Sequence, residues 1–423
     1  MTTSTPQILL CGEVFWAHKE IAELGKTYEI LLPGLTRGCG HLVASAGLND
    51  EVCHASRLKL WTVAHGRSPL SSCASRPGLL SIHVEPANII CLAISVCLPP
   101  FIILQPLKTP DRDSFLKACA PGGAYSKVVA IYRHGCSASK VGNFDKEIVE
   151  GLPSSVKWMA HHGAGYDDVD IKACTAKGIQ VAHTPSAVDG SRALSFSLKA
   201  YATATVAMYL IIGALRQFYN AEKCARAGTF KKGTTPAHDP ELKTLGIVGM
   251  GGIGRALAKR ALGFDMKIIY HNRNPVAPAL LSSFPKDSIT YVPTLDALLA
   301  ASDVVSLHLP LNSATENFFG PKQFEMMKTG SVLVNTARGG VVDEEALLSA
   351  LESGKIYSAG LDVFPDEPNI NPKLTANPRI TILPHMGTET EESRLKMENT
   401  VIANLKSGLE AGFLINQVPE QKK

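Results

Sequence analysis

The sequence predicts an α/β protein built on a parallel sheet, and three observations support this fold class. Short apolar runs alternate with helical stretches through residues 242–385, which is typical of βαβ units. A glycine-rich turn, Gly249–Gly254, follows the first of these runs and opens a helix. The length of 423 residues suggests two or three domains, at roughly 150 residues each.

The alternating region assigns each of its elements in order. The apolar runs predict strands at Thr244–Val248, Lys267–Tyr270, Asp303–Leu309, Ser331–Asn335, Ala359–Val363 and Thr381–Leu383. The segments between them predict helices at Ile253–Leu262, Leu295–Ala300, Pro321–Met327 and Glu344–Ser353. Such an alternation predicts a doubly wound sheet whose strands end at one common edge, where ligands bind in this fold class.

The turn after the first predicted strand has the GxGxxG pattern of a dinucleotide-binding loop. Gly249 allows the tight turn, Gly251 lets the backbone approach a pyrophosphate, and Gly254 lets helix and strand pack closely. Gly252 and Ile253 open the helix, whose N-terminus offers N–H groups to phosphates. The turn is therefore predicted to bind the phosphates of a dinucleotide.

Two residues after the second predicted strand bear on the choice of cofactor. An NAD-selective fold usually has an Asp or Glu here, bound to the ribose 2′-hydroxyl. This chain has Asn272 and Arg273, and a neutral side chain followed by a guanidinium tolerates a 2′-phosphate. We therefore favour NADP and keep NAD as the alternative, because Arg273 would also suit a solvated loop.

Three residues with useful chemistry follow later strands of the same region. Arg338 offers a fork that binds a carboxylate with two hydrogen bonds. His385 holds a proton near neutral pH when a carboxylate such as Glu367 lies beside it. Taken singly, each has a plainer explanation, namely a surface ion pair, a capping carboxylate or a core histidine.

Together these segments resemble the D-isomer-specific 2-hydroxyacid dehydrogenase family, within it the fungal D-mandelate-dehydrogenase-like branch that includes glyoxylate and hydroxypyruvate reductases. The resemblance covers residues 242–388, together with Lys157–Asp170, His183–Asp189 and Ala202–Gln217. It implies two Rossmann-like domains, a flavodoxin-like substrate domain and a doubly wound NAD(P)-binding domain, with the active-site cleft between them. It also implies hydride transfer between NAD(P)H and a 2-oxo acid or D-2-hydroxy acid: glyoxylate, hydroxypyruvate or a bulkier compound.

The resemblance implies a role for each candidate site residue. His385 would donate the proton, Glu367 would raise the pKa of His385, and Arg338 would hold the substrate carboxylate. Backbone amides of Ala164 and Gly165 would bind the same carboxylate. The cofactor would contact the glycine-rich turn, Asn272, Arg273, Pro310, Thr336, Ala337, Asp362 and Gly387, with Asp362 on the nicotinamide carboxamide. No metal is expected, since no cysteine pair has zinc-binding spacing.

The implied plan places the substrate domain at residues 1–184 and 385–423 and the NAD(P)-binding domain at residues 185–384. Substrate-domain strands are predicted at Gln7–Gly12, Glu29–Leu32, Val128–Tyr132, Val156–Met159 and Gln180–Ala182, and a helix at Glu391–Leu409. Aromatic or basic residues at strand ends, namely Phe15, Trp16, Tyr132, Arg133 and His134, either face the cleft or pack in the ordinary way.

Two segments, residues 33–104 and 190–201, interrupt this plan. The first has only eight charged residues in 72, against 19% for the chain, and it holds five of the ten cysteines. Surface loops and translated introns are the two explanations, and the low charge and missing periodicity favour introns. Without both segments 339 residues remain, a length that fits two domains.

The uncharged stretch Pro86–Leu107 is long enough to span a bilayer. Pro99-Pro100 interrupts it and no basic or aromatic anchors flank it, so we interpret it as part of the first interrupting segment.

Charge and targeting patterns limit the remaining possibilities. A net charge of +4 gives no electrostatic footprint for nucleic acid. The N-terminus shows no secretory signal, so we expect reduced thiols and a cytoplasmic protein. The family suggests a homodimer. Two alternatives to an active enzyme stay open: a cofactor-binding, corepressor-like regulator, since fold does not fix function, and an inactive product of retained introns.

Overall fold

The structure is a computed structural model that describes residues 7–11, 103–185 and 198–422, and the chain divides into two compact units. The first unit comprises residues 1–184 and 397–423, and the second comprises residues 185–396. The second boundary lies twelve residues beyond the predicted return at 385, because the turn that carries His385 packs within the second unit. The predicted strand Glu29–Leu32 and residues Phe15 and Trp16 lie outside the described residues.

The first unit contains a parallel sheet of five described strands in the order β2-β1-β3-β4-β5. The strands are β1 (Gln7–Cys11), β2 (Ile103–Pro106), β3 (Val128–His134), β4 (Trp158–His162) and β5 (Gln180–Ala182). Its described helices are α1 (Arg112–Cys119), α2 (Ala138–Val141), α3 (Lys146–Gly151) and α4 (Ile171–Ala176). Aspartate N-caps begin three of them: Asp111, Asp145 and Asp170 each accept a bond from a first-turn amide.

The second unit contains a parallel sheet of seven described strands in the order β12-β11-β10-β9-β6-β7-β8. The strands are β6 (Thr244–Val248), β7 (Lys267–His271), β8 (Ile289–Tyr291), β9 (Val304–Leu307), β10 (Ser331–Asn335), β11 (Ile356–Leu361) and β12 (Ile380–Ile382). The described helices are α5 (Leu198–Arg216), α6 (Phe218–Arg226), α7 (Gly252–Leu262), α8 (Leu295–Ala301), α9 (Pro321–Met326), α10 (Glu344–Glu352) and α11 (Pro372–Ala376). Helix α12 (Glu391–Ala411) runs from this unit into the first.

The strand order makes this sheet doubly wound, as the sequence predicts. The chain starts in the middle at β6 and winds outward in both directions, through β7 and β8 on one side and β9 to β12 on the other. The switch point therefore lies between β6 and β9, and ligands in such sheets bind at the carboxyl ends of the strands there.

Both predicted interruptions end earlier than expected. Ile103 pairs in register with Gln7 in the first sheet, so the predicted boundary at residue 104 is wrong by two residues. Helix α5 begins at Leu198, inside the segment predicted to end at 201. Ala200 is buried and the Tyr201 carbonyl accepts a hydrogen bond from Arg260, so this first turn packs as part of the domain.

Apolar clusters lie on the two faces of the second sheet. On one face α5 packs close to β11, because Gly360 leaves no room for a side chain: a Cβ there would lie 2.8 Å from the Cβ of Leu210. Among the described residues, no helix has the length and hydropathy needed to cross a membrane. Among the described residues, Cys119, Cys174 and Cys224 are free thiols.

Candidate active site

The glycine-rich turn joins β6 to α7, and two of its glycines, Gly249 and Gly254, are required for steric reasons. Gly249 has φ +103°, and a Cβ there would lie 2.7 Å from the carbonyl oxygen of His308. A Cβ on Gly254 would lie 2.5 Å from the carbonyl oxygen of Gly249, so only glycine allows this close packing. Gly251 faces open space within 4 Å, beside the first-turn amides of Gly252 and Ile253. These amides have no partner inside the helix and suit a phosphate.

Asn272 supports this turn from the end of β7. Its side-chain oxygen accepts a hydrogen bond from the Met250 amide at 2.7 Å. Because that oxygen faces a donor, the amide nitrogen of Asn272 presents its two N–H groups on the other side. Arg273 is exposed and forms no ion pair with any residue the structure describes.

Two buried polar atoms near the carboxyl ends of β9 and β10 have no partner among the described residues. They are Nδ1 of His308 and Oγ1 of Thr336. Nε2 of His308 lies 2.9 Å from the Ser306 hydroxyl, and burial lowers the pKa of His308 to about 4, so the ring is neutral at pH 7. Buried polar atoms are usually satisfied, so both point to a missing ligand. The loop after β9 continues to Pro310, whose carbonyl accepts from Thr315.

Arg338 stands on the loop after β10 and is half-buried. Its Nη1 donates to the Ala337 carbonyl at 2.8 Å, and its own carbonyl accepts from the Asn335 side chain at 2.9 Å. The next residue is Gly339, where a Cβ would lie 1.9 Å from the carbonyl carbon of Phe364. This close approach brings the Arg338 loop against the loop that carries Glu367, a contact that sequence reasoning did not identify.

His385 and Glu367 form a hydrogen-bonded dyad, with Nδ1 of His385 2.7 Å from Oε2 of Glu367. This bond raises the pKa of His385 above its ordinary value, although burial opposes it. Burial also works to raise the pKa of Glu367, but the bonds from His385 and the Phe364 amide outweigh it and hold that pKa low. The charge of Arg338 acts on both groups. The dyad can therefore hold a proton on Nε2 of His385. This ring nitrogen is not bonded to Glu367 and lies on the side of the ring opposite that bond.

Asp362 fixes the turn that carries this histidine. Residues 385–387, named here the His385 turn, follow β12, and His385 has a left-handed φ of 57°. The Asp362 carboxylate accepts from the Met386 amide at 2.7 Å and the Gly387 amide at 2.9 Å, and its carbonyl accepts from the His385 amide at 2.8 Å. Burial raises the pKa of Asp362 to about 6, although both amides oppose the shift.

Thr203 on α5 holds the same turn from the other side. Its hydroxyl donates to the Gly387 carbonyl at 3.0 Å. A Cβ on Gly387 would lie 3.2 Å from Oδ2 of Asp362 and 3.3 Å from Thr203, so a side chain there would crowd both contacts. The sequence signal that could have identified Thr203 is a polar residue on the buried face of a helix.

The remaining predicted residues lie in the first unit. Ala164 and Gly165 belong to residues 163–168, named here the 163–168 loop, which follows β4. Neither amide donates to an acceptor within the part of the chain that the structure describes. Tyr132 and Arg133 are fully buried, so of the two alternatives for these residues the structure favours ordinary packing. Among the described residues, no group of three or more His, Cys, Asp or Glu is placed to hold a metal.

Comparisons with known proteins agree with this geometry. The model of the NAD-binding domain of D-isomer-specific 2-hydroxyacid dehydrogenases matches residues 208–387. The 4-methyl-2-oxopentanoate reductase A of Aspergillus oryzae is 46% identical over 325 residues, which cover 77% of this chain and 93% of that protein. The crystal structure of a glyoxylate reductase from Paecilomyes thermophila is 38% identical, with a TM-score of 0.74, covering 99% of this chain and 100% of that one.

A third similar protein is the D-mandelate dehydrogenase of Rhodotorula graminis in its holo form. It is 28% identical with a TM-score of 0.68, covering 80% of this chain and 95% of that chain. The likeness to these proteins confirms the predicted fold class and the predicted family.

Proposed function

The chain belongs to the D-isomer-specific 2-hydroxyacid dehydrogenase family, and on this premise we propose an NADPH-preferring reductase of branched 2-oxo acids in which His385 donates the proton. It is an oxidoreductase that reduces 2-oxo acids with NAD(P)H. The observation that carries the proposal is the 2.7 Å bond between His385 and Glu367.

The proton reaches the substrate from Nε2 of His385. Glu367 holds Nδ1, so a protonated ring presents its second N–H on the opposite side, and the raised pKa keeps that proton near neutral pH. As the carbonyl oxygen of the substrate gains negative charge, this N–H is placed to donate to it. In the oxidation direction the neutral ring accepts the proton from the alcohol.

The carboxylate of the substrate is held by groups that carry or concentrate positive charge. Arg338 supplies the guanidinium, which binds a carboxylate through two parallel N–H groups and polarises the adjacent 2-oxo group. The amides of Ala164 and Gly165 supply two further donors to the same carboxylate.

The residues of the second unit fit a dinucleotide cofactor. Open space at Gly251 and the first-turn amides of α7 suit its pyrophosphate, and the unsatisfied atoms of His308 and Thr336 offer it polar contacts. Pro310 and Ala337 follow β9 and β10, and second lone pairs on the Gly387 carbonyl and on the Asp362 carboxylate would accept from the nicotinamide carboxamide. When bound, the cofactor supplies a hydride from the nicotinamide ring.

The preference for NADPH rests on Asn272 and Arg273. The Met250 amide fixes the oxygen of Asn272, so the Asn272 N–H groups point outward as donors. Phosphate oxygens only accept hydrogen bonds, and the exposed guanidinium of Arg273 adds a positive charge beside them. NADH, which has a 2′-hydroxyl instead, gains less from this pair.

The preference for a branched substrate rests on relatedness. The reductase named for 4-methyl-2-oxopentanoate is more similar to this chain than the glyoxylate reductase of known structure, at 46% against 38% identity. We expect the order 4-methyl-2-oxopentanoate, phenylglyoxylate, hydroxypyruvate and glyoxylate in decreasing kcat/KM.

A kinetic panel tests the function. The purified chain is assayed for NADPH and NADH oxidation with each of these four acids, alongside Arg273→Ser and a control, Lys373→Ser, at a distant exposed ion pair. We expect turnover with a preference for NADPH, and Arg273→Ser to lose about 1–2 kcal/mol of that preference while the control keeps it. No turnover with any of the acids would contradict the proposal.

We further propose that the protein is a cytoplasmic homodimer. Large exposed side chains on consecutive helices of the second unit, namely Tyr209, Phe218 and Tyr219, support an interface there. Light scattering after size-exclusion chromatography should give a mass twice the 45.2 kDa of the chain, and Tyr219→Glu should lower the measured mass to that of a single chain. Fluorescence microscopy of the tagged chain tests the location.

A further inference from the structure

A fully buried guanidinium lies at the base of the 163–168 loop. Arg133 stands near the end of β3 with 0% of its surface exposed. Its Nη2 is 2.7 Å from Oδ2 of Asp168, its Nη1 is 2.9 Å from Nδ1 of His161, and the Phe144 ring lies 4.9 Å from its guanidinium carbon. Burying a charge is costly unless it is paired, so the ion pair with Asp168 and the Nη1 contact with His161 offset that cost, although Nε and Nη2 have no hydrogen-bond partner among the described residues.

The two partners of Arg133 stand at opposite ends of the loop. His161 precedes it on β4, and a Cβ on Gly163 would lie 2.5 Å from Nε2 of His161, so the ring packs directly against the first loop residue. Asp168 closes the loop, and its carbonyl accepts from the Phe144 amide at 2.8 Å. One guanidinium therefore spans the base of the loop and sets the separation of its ends.

The contact with His161 also fixes the state of that ring. A guanidinium nitrogen only donates, so Nδ1 of His161 accepts, and in the neutral ring the proton lies on Nε2 beside Gly163. The contact with Arg133 therefore fixes the orientation of the His161 ring.

The middle of the loop is anchored through carbonyls and not through amides. The Gly163 carbonyl accepts from the Thr184 amide at 2.8 Å, and the Ala164 carbonyl lies 2.9 Å from Nδ1 of His183. The Ala164 and Gly165 amides donate to no acceptor in residues 7–11, 103–185 and 198–422. Because the carbonyls are hydrogen-bonded and both ends of the loop are fixed, the N–H groups of Ala164 and Gly165 remain available to a ligand.

We propose that Arg133 is a positioning residue for substrate binding: through Asp168 and His161 it holds the loop whose Ala164 and Gly165 amides bind the substrate carboxylate. The inference rests on the proposed function, because it assumes that these amides contact the carboxylate. Arg133 itself touches no substrate, since it is fully buried.

Arginine is required here because of its shape. Its planar fork reaches Asp168 and His161 with different nitrogens at the same time, whereas an ammonium group is a single point charge on a flexible stem. Arg133→Lys keeps the charge and loses the span. Asp168→Asn keeps the loop length and loses the ion pair at one end only. The two variants separate the charge from the bridging geometry.

The test is the effect of both variants on the steady-state kinetics of the full chain. KM is measured for 4-methyl-2-oxopentanoate and for NADPH, together with the inhibition constant of oxamate, a non-reacting 2-oxo acid analogue. We expect substrate KM and the oxamate constant to rise together, about ten- to a hundredfold in Arg133→Lys, since small misplacement of a binding group costs this much. The KM for NADPH should stay within about twofold.

Arg226→Lys is the control for loss of a guanidinium ion pair, because Arg226 pairs with Glu222 on α6, in the second unit. It should leave every constant unchanged. If Arg133→Lys does not fold, Asp168→Asn carries the same expectation. Wild-type turnover with unchanged substrate KM in the variants, or an equal rise in the NADPH constant, would overturn the inference and leave the proposed function standing. Absence of wild-type turnover would overturn both.

Discussion

Two turns of this molecule hold their functional groups by opposite means. The His385 turn is fixed through its backbone amides, which donate to the Asp362 carboxylate, and the imidazole of His385 takes no part in these bonds. The 163–168 loop is fixed through side chains at its ends, which contact the Arg133 guanidinium, and it leaves backbone amides open. An acidic anchor thus presents an imidazole and a basic anchor presents N–H groups.

The contrast has a simple chemical basis. A carboxylate only accepts hydrogen bonds, so it binds the backbone amides of a turn and leaves the side chains of that turn unbound. A guanidinium donates only, so it binds carboxylates and ring nitrogens and leaves amides unused. The charge of the anchor therefore decides which kind of group a turn can offer to a substrate.

The largest expected effect comes from removing the reactive side chain of the first turn. His385→Gln should lower kcat for reduction about 10²–10⁴-fold, because the proton donor is lost while the backbone of the turn is kept. Stopped-flow measurement of NADPH oxidation checks it. The melting temperature should change little, and a variant with wild-type kcat would show that the proton comes from elsewhere.

The next effect comes from changing the acidic anchor. Asp362→Asn keeps the size of the side chain but offers one acceptor to two amide donors, so one amide loses its partner at a cost of about 1–3 kcal/mol. We expect a lower melting temperature and a fall in kcat that exceeds any change in substrate KM. Calorimetry and steady-state kinetics measure both. Equal stability would mean that the turn does not depend on its carboxylate.

The smallest expected effect is a shift in pH dependence. Glu367 raises the pKa of His385, so the proton needed for reduction is held up to a higher pH and is lost as the pH rises through that raised value. Glu367→Gln removes the charge, and the alkaline decline of kcat/KM should move to lower pH. The control, Glu345→Gln, alters an exposed carboxylate bound to Lys373 and should leave the profile in place. If the alkaline decline of kcat/KM stays at the same pH in Glu367→Gln, the decline does not report the pKa of His385.

The parts of the fold with local signals were predictable. Strands β5, β6 and β10 have their predicted bounds, because each is a short apolar run between turn residues. The three-residue strand β8 was missed, since half-buried residues at a sheet edge give no apolar run. The first turn of α5 was assigned to an interruption, although Ala200 continues the buried stripe of that helix.

The candidate site was predictable as residue types, and the resemblance also implied the contact between His385 and Glu367, but the contacts that anchor its turns were not predicted. The order of the strands brings Arg338, Glu367 and His385 to one unit; the sequence pattern predicts a parallel sheet but not that order. The bonds of Asp362 to two amides and the burial of Arg133 depend on side-chain directions across long separations in the chain. Sequence periodicity does not indicate those side-chain directions, so Asp362 and Arg133 could be identified as the anchors of the two turns only from the structure.

The bond between Asn272 and the Met250 amide has an evolutionary consequence. An aspartate at position 272 would accept the same amide hydrogen, so the phosphate-binding turn would survive the exchange. The same exchange would replace outward-facing donors by an acceptor suited to a ribose hydroxyl. One nucleotide change separates the two amino acids in the genetic code. A single substitution can therefore shift the cofactor preference between NADPH and NADH, without an intermediate enzyme that binds neither cofactor.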